Sequence, residues 1–347
     1  MELSFFDRLS SMIVVDLGTV NTLIAGVNKG IVLREPSRVV VNTETGEILA
    51  LGSENAKNKP QTLNGVRTVF PMRDGVVVDI TLMSHMVAGF VKKAFGNKFR
   101  PFGMTAVICV PGCVTSVEQQ AIEEAFYRAG IKKVFVMSEA VAAAIGAGLP
   151  VYKEDGCMIV DIGGGTTDTA IMSKNGVEAM KSHKHGSVHM NEAIIRAIKM
   201  EYGIDIGDAT AEELKCSIGL VGTSAPLAVR GRRINTGLPD TVEVDTGVVA
   251  STLQRETQNT VSLILDTLLE SPPELVSKVI ERGIMLSGGG ALLKGIVDYI
   301  SSAAGVDVLV AEDSLDCVLL GAMQMADELI YGPVLDEEDS GFSAITV

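Results

Sequence analysis

The chain of 347 residues is long enough for two domains of ordinary size, and its 47% hydrophobic content without a single Trp calls for an aliphatic core. A net charge of −14 excludes the broad basic face that non-specific nucleic-acid binding needs. Five cysteines (Cys109, Cys113, Cys157, Cys216 and Cys317) are odd in number and irregularly spaced, the pattern of free thiols in a reducing compartment.

The opening "MELSFFDRLSSM" lacks the basic flank and long apolar run of a signal peptide, which predicts a cytoplasmic chain. "IVVDLGTVNTLIAG", from Ile13, reads as a buried strand that ends on a carboxylate, then a glycine turn and a second strand. Residues 31–66 look like an insertion and carry a hairpin signal, "VVVNTETGEILAL". The stretch "GFVKKAFGNKFRPFGM" holds Phe90, Phe95, Phe99 and Phe102, four of the ten phenylalanines, together with Lys92, Lys93, Lys98 and Arg100. Phe90 continues the apolar stripe Leu82, Met83, Met86, Val87 and belongs to the core face of a helix, and Phe95 stands at the end of that helix. Phe95, Phe99 and Phe102, with Lys98 and Arg100, are candidates for contact with an anionic membrane surface. Phenylalanine would sit at the lipid boundary, and each cation near headgroups is worth roughly 1 kcal/mol. Such a loop would also account for a mean hydropathy of +0.32.

"TAVICVP" from Thr105 is a strand, and the helix after it starts with Thr115 and Glu118 at capping-box spacing and stops at Gly130. "KKVFVM" returns as a strand. In "MSEAVAAAIGAG", Ser138 sits at a helix N-cap with Glu139 in the first turn, where a carboxylate complements the helix dipole. This β-α-β rhythm implies a mostly parallel sheet covered by helices. "CMIVDIGGGTTDTAIMS" then repeats the first turn at one constant offset: Asp161 stands for Asp16, Gly163 for Gly18 and Thr167 for Thr22. Residues 182–246 read as a second, more polar insertion. His185 and His189 are four apart, a spacing that could share a helix face and suit a metal, but with His183 they read as surface or partly buried side chains. The helix "ASTLQRETQNTVSLILDTLLE" stops at Pro272-Pro273, and "LSGGGALLKG" from Leu286 supplies a third glycine turn after a strand. That run could lie against a base or ribose, or serve a close strand–helix contact. The end, residues 333–347, reads as a mobile acidic tail.

A glycine turn after a buried strand lets backbone N–H groups converge on an anion. A carboxylate at the strand end repels phosphate but can hold Mg²⁺ through water, and the metal neutralises the polyphosphate. Two such hairpins facing each other across a cleft, with the metal between Asp16 and Asp161, make a nucleotide site.

The trio "VDLGTVNT", "VDIGGGTTD" and "LSGGGALLKG" resembles the two phosphate motifs and the adenosine motif of the superfamily of actin, heat-shock chaperones and sugar kinases. With "GIVLREPS", "PMRDGVVVD", "AAAIGAGLP", "SPPELVSKVIERGIMLSGGGALLKG" and "TAEELKCSIG", the chain is similar to the bacterial actin MreB family from about residue 12 to 330. The resemblance implies an α/β actin-like fold of two duplicated ribonuclease-H-like halves around an ATP cleft. Subdomain IA would take 1–30, 67–145 and 314–332, IB 31–66, IIA 146–181 and 247–313, and IIB 182–246. It implies ATP or ADP with Mg²⁺ as cofactors, Asp16 and Asp161 placing the metal, and phosphates held by Gly18, Thr19, Val20, Asn21, Gly163, Gly164, Gly165 and Thr166. Glu212, Lys215, Gly288, Gly289 and Gly290 would contact the nucleoside. Glu139 and Thr166 would position the water that attacks the γ-phosphate of a slow ATPase. It implies self-assembly into paired protofilaments on the inner face of the cell membrane, working with the cell-wall elongation machinery and its membrane proteins, without nucleic acid.

Three departures from the family pattern stand out. Glu139 is followed by Ala140 where the family has proline. Gly186-Ser187-Val188 replaces Gly-Gly-Asp, so one carboxylate near the nucleotide is lost. Gly231–Arg233 replaces a basic-acidic pair. The lost acid motivates an alternative, a nucleotide-binding scaffold with little hydrolysis. A small-molecule kinase would need larger insertions, and a heat-shock chaperone a further C-terminal domain.

Overall fold

The computed structural model describes residues 11–27, 29–53, 65–96, 103–151 and 156–331. Candidate residues Lys98, Phe99, Arg100 and Phe102, the opening ten residues and the predicted acidic tail lie outside the described residues.

Two five-stranded sheets carry the chain. The first is built from β1 (Ser11–Leu17), β2 (Asn21–Gly26), β3 (Gly30–Pro36), β4 (Met104–Val110) and β5 (Lys133–Ser138). The second is built from β6 (Cys157–Ile162), β7 (Thr167–Ser173), β8 (Gly176–His183), β9 (Ile284–Ser287) and β10 (Val308–Val310). In each, the first strand lies at the centre, antiparallel to the second and parallel to the fourth. The duplication read from the two turns therefore extends to the whole topology, and the register agrees. Asp16 lies opposite Leu23 and Leu17 opposite Thr22. Asp161 lies opposite Asp168 and Ile162 opposite Thr167.

Strand alternation divides the core into layers. Ile13, Val15 and Leu17 face helices α1 (Ile80–Phe95) and α2 (Ser116–Arg128) on the outside of the first sheet. Met12 and Val14 face the other way, toward α3 (Glu139–Gly146). In the second sheet, Met158, Val160 and Ile162 face an outer layer of α4 (Ser187–Tyr202), α5 (Asp208–Ile218), α6 (Thr246–Glu270), α7 (Pro273–Arg282) and α8 (Ile296–Ala304). Cys157 and Ile159 face the same middle layer as Met12 and Val14, where α3 meets α9 (Cys317–Tyr331). Those two helices touch backbone to backbone. A Cβ on Gly146 would collide with the Cys317 carbonyl, and one on Gly321 with the Ala142 carbonyl. By the same alternation, Asp16 and Asp161 both end their strands on the faces that look toward the middle layer.

Two three-stranded sheets lie outside the main ones. In the first half, Val39–Asn42 pairs with Ile48–Leu51 and Val66–Val69, and β3 stays in the main sheet. In the second, Pro226–Arg233 pairs with Ile204–Asp205 and Pro239–Asp245. The capping box of α2 is present, with Thr115 and Glu118 bonded reciprocally. Ser138 is the N-cap residue of α3 but makes no capping bond: its Oγ donates to Met180 Sδ at 3.5 Å. No helix among the described residues is long and apolar enough to cross a membrane.

Candidate functional site

The first turn is fixed from behind. Ser37 Oγ donates to the Gly18 carbonyl at 2.6 Å, shares a 2.8 Å bond with Thr22 Oγ1, and its N–H reaches the Val20 carbonyl at 2.9 Å. A Cβ on Gly18 would come within 2.6 Å of the Asn21 carbonyl, so the turn closes only on glycine. The second turn is closed by Gly163 N–H to the Thr166 carbonyl at 2.9 Å. The two turns face each other at contact distance. A Cβ on Gly164 would meet Val20 Cγ2 at 2.5 Å, and one on Gly165 would meet Thr19 Oγ1 at 2.5 Å. Thr19, Val20, Gly164 and Gly165, far apart in sequence, thus line one opening. Asn21 starts β2 with its side chain exposed.

Asp161, Asp168 and Glu139 are buried beneath this opening, and Asp16 is half-buried beside them. Removal from water raises Asp16 to about 7, helped by Asp161 and Asp316 and opposed by Arg34. Burial raises Asp161 to about 6 against the pull of Ser287, whose Oγ donates to Asp161 Oδ1 at 2.7 Å. Burial raises Asp168 to about 7, although Gly112 N–H donates to its Oδ1 at 2.7 Å. Asp168 Oδ2 is buried without a hydrogen-bond partner. Glu139 is pushed well above the carboxylate range, by burial first and then by Asp168, Asp16 and Asp161. Arg34 is the cation in the balance of this cluster, and it is paired with Asp316. So much negative charge with so little compensation fits a divalent cation. Among the described residues no three His, Cys, Asp or Glu side chains are grouped to ligate one ion.

The far wall is the start of α4. Ser187 N–H donates to the Gly163 carbonyl at 3.0 Å and Val188 N–H to the Gly164 carbonyl at 2.9 Å. Gly186 makes this possible, since a Cβ there would lie 2.6 Å from the Gly164 oxygen and 2.8 Å from the Gly163 oxygen. Below it, Lys215 is buried, its Nζ donating to the Ser187 carbonyl at 3.2 Å and to Glu212 Oε2 at 2.8 Å. Asn191 Nδ2 donates to the same Glu212 oxygen at 2.7 Å. Burial would raise the Glu212 carboxyl, but Lys215 and Asn191 outweigh it and hold it low. The predicted pair Glu212 and Lys215 is thus one ion pair anchored to α4. In the third glycine run, Cβ atoms on Gly288 or Gly290 would collide with Ile162. These two glycines serve a close contact with β6, while Gly289 is exposed.

Sequence reasoning missed three residues here: Asp74, Asp168 and Gly186. Asp74 belongs to a small hairpin of Met72–Arg73 and Val76–Val77. Its Cα lies 2.8 Å from where a Cβ on Gly165 would sit. The Asp-Gly pair at 74–75 signalled a turn, though nothing local says what the turn rests on. His185 precedes α4 rather than sharing a helix face with His189. The two rings stack at 4.6 Å between centroids. Phe95 packs against the first sheet, its ring 3.1 Å from a Cβ built on Gly26 and 5.4 Å from Lys29 Nζ. It is half-buried.

A family model described as MreB/Mbl protein matches residues 10–331. The cell shape-determining protein MreB of Escherichia coli (strain K12) is 38% identical over 344 residues, 96% of this chain and 99% of that one. The cell shape-determining protein Mbl of Bacillus subtilis (strain 168) is 37% identical over 322 residues, 91% of this chain and 95% of that one. Among solved structures, MreB 5 of Spiroplasma citri bound to AMPPNP matches with a TM-score of 0.83 and 31% identity, covering 92% of this chain and 96% of that one. Its ADP complex matches with a TM-score of 0.85 and 30% identity, covering 94% and 100%. A MamK double helical filament, at 20% identity and a TM-score of 0.76 over 91% and 99% of the two chains, shares the fold.

Proposed function

Because this chain belongs to the MreB/Mbl family, and its fold is actin-like, we propose that it is a polymerising cytoskeletal ATPase. It binds ATP between its two halves, hydrolyses it slowly to ADP and phosphate, and assembles with copies of itself into filaments. The filaments lie on the inner face of the cell membrane and organise cell-wall synthesis and rod shape. The observation that carries this reading is the pair of opposed turns over a nearly uncompensated carboxylate cluster. AMPPNP and ADP in MreB 5 of Spiroplasma citri, and the filament of MamK, support it.

In this reading the backbone N–H groups of residues 18–21 and 163–166 hold the phosphates. Glu212, Lys215 and the exposed Gly289 line the nucleoside side. Asp16 and Asp161 fit a water-mediated Mg²⁺, which would supply charge neutralisation to the polyphosphate. Thr166 and Glu139 order the attacking water. Burial, and then Asp168, Asp16 and Asp161, raise the Glu139 carboxyl and favour its protonated form. It becomes an acceptor for the water's proton once their charge is reduced, which ties hydrolysis to a fully loaded site. The membrane contact rests on Phe95, Lys98, Phe99, Arg100 and Phe102.

The test is phosphate release and electron microscopy of the full chain, with MgATP and without nucleotide, on anionic liposomes and in solution. We expect straight or paired filaments on the liposomes, lost in Phe99→Ser/Phe102→Ser. We expect phosphate release to fall by about 10²-fold or more in Glu139→Gln. ATP binding with release no faster than in Glu139→Gln would favour the scaffold alternative that Val188 motivates. Absence of nucleotide binding would refute both.

A further inference from the structure

Asp74 is the one non-glycine residue with a positive φ, 52°, among the described residues. Its hairpin belongs to the first half but rests on the second. Asp74 Cα sits against Gly165, and a Cβ on Gly75 would lie 3.3 Å from the Thr166 methyl. Asp74 Oδ1 is buried and has no hydrogen-bond partner. The group that faces it is His189 of α4, with Nε2 at 3.6 Å. The other ring nitrogen, Nδ1, accepts the Gly186 N–H at 3.0 Å. That bond assigns the proton of the neutral ring to Nε2 and aims it at Asp74. At 3.6 Å the bond is not made, and an approach of roughly 0.6 Å would make it.

The surroundings tie this pair to the nucleotide site on one side and to the frame of the second half on the other. Arg73 Nη2 donates to Glu192 Oε1 at 2.8 Å, a second link from the hairpin to α4. His185, stacked on His189, has its Nε2 3.2 Å from Glu256 Oε2 and 3.3 Å from Asn259 Nδ2, both on α6. The helix turn that carries His189 is the one bonded to the Gly163 and Gly164 carbonyls.

We propose that His189 is a positioning residue of the nucleotide site. Its hydrogen bond to Asp74 forms when the two halves close on ATP, and it holds the hairpin, and with it the Gly165–Thr166 backbone, in the seat that hydrolysis requires. This rests on the reading of the second turn as an ATP phosphate clamp. His189 acts through Asp74 and touches no reacting atom.

The experiment compares wild type, His189→Glu, Asp74→Asn and the double variant in the full chain, by competitive ATP and ADP binding and by phosphate release. Glutamate is the third residue of α4 in that variant, so it can still accept the Gly186 N–H, but it repels Asp74. Asparagine tolerates a positive φ and can donate to glutamate. We expect His189→Glu to lower ATP-over-ADP preference and phosphate release by about tenfold, the worth of one hydrogen bond to a charged group. ADP affinity should stay within about twofold, and Asp74→Asn should restore the loss in the double variant. A defect that Asp74→Asn does not rescue, or no defect at all in a chain that turns over ATP, overturns the proposal. A wild-type chain that binds neither nucleotide overturns the ATP reading itself. If His189→Glu fails to fold, a cycle of His189→Ala and Asp74→Ala decides. A double variant no worse than the worse single one supports the pair, and additive losses overturn it.

Discussion

Gly186→Ala tests the contact between α4 and the second phosphate turn. A Cβ at this position would stand 2.6 Å from the Gly164 oxygen, 2.7 Å from its carbonyl carbon and 2.8 Å from the Gly163 oxygen. All three are backbone atoms, so no side chain can swing aside. The helix start must retreat by roughly 0.8 Å before the contact becomes ordinary. That retreat stretches the bonds from Ser187 N–H to Gly163 O and from Val188 N–H to Gly164 O, now 3.0 and 2.9 Å, past useful length. Two such bonds at about 1 kcal/mol each put the cost near 2 kcal/mol. If the loss falls on the clamp it weakens nucleotide binding by about 30-fold, and if it falls on the fold it lowers Tm by several degrees. Gly207→Ala is the control, since Gly207 is also a helix N-cap but a Cβ there meets nothing within 4 Å. It should cost about 1 kcal/mol at most, the loss of a glycine N-cap alone, and leave nucleotide affinity unchanged. Calorimetry and titration with a fluorescent ADP analogue read both quantities. A Gly186→Ala chain that keeps both Tm and affinity while Gly207→Ala does the same would refute the steric reasoning.

His185 is held at about 4, below its ordinary 6.5, by burial first and then by His189 and His183. The unfolded chain binds that proton more readily, so stability is full above about 6.5 and is lost as pH falls toward 4. Partial solvation limits the loss to about 1–2 kcal/mol. Urea unfolding at pH 7 and pH 4.5 should show it, and His185→Asn should flatten it. Lys215→Met keeps the buried stem but leaves the Ser187 carbonyl without its side-chain donor, which costs about 1–3 kcal/mol and should appear as weaker ADP binding in equilibrium titration. Asp168→Asn keeps an acceptor for Gly112 N–H and removes the strongest charge acting on Glu139. The acid limb of phosphate release should therefore move to lower pH, and an unmoved limb would remove Glu139 from the proton's path.

The duplicated turns were legible because their signal is local: a charge at a strand end, a glycine two residues on, and a threonine whose register pairs it back. That register holds for Thr22 opposite Leu17 and Thr167 opposite Ile162. The capping box at Thr115 was legible for the same reason. Ser138 was legible as a boundary but not as a bond, because its hydroxyl is claimed by Met180 across the cleft. Gly288 and Gly290 carried two readings, and their close approach to Ile162 requires glycine whether or not a nucleoside lies beyond them. The roles of Asp74, Gly186 and His189 were not legible in any window, since each rests on a contact with another segment that forms only in the fold. Gly186 is glycine for the sake of Gly164, and no periodicity records that.

The crossing of α3 and α9 lies in the layer between the two main sheets. Where Gly146 lies on Cys317 and Gly321 on Ala142, backbone meets backbone with no side chain between the helices. Glu139 sits seven residues up the helix from this axle, about 10 Å away at 1.5 Å per residue. A swivel of roughly 10° at the glycines would swing that carboxylate by about 2 Å, the difference between reaching a water and missing it. A second copy that turned one half against the other would thereby work a lever whose far end carries Glu139, with a bare glycine contact as its fulcrum.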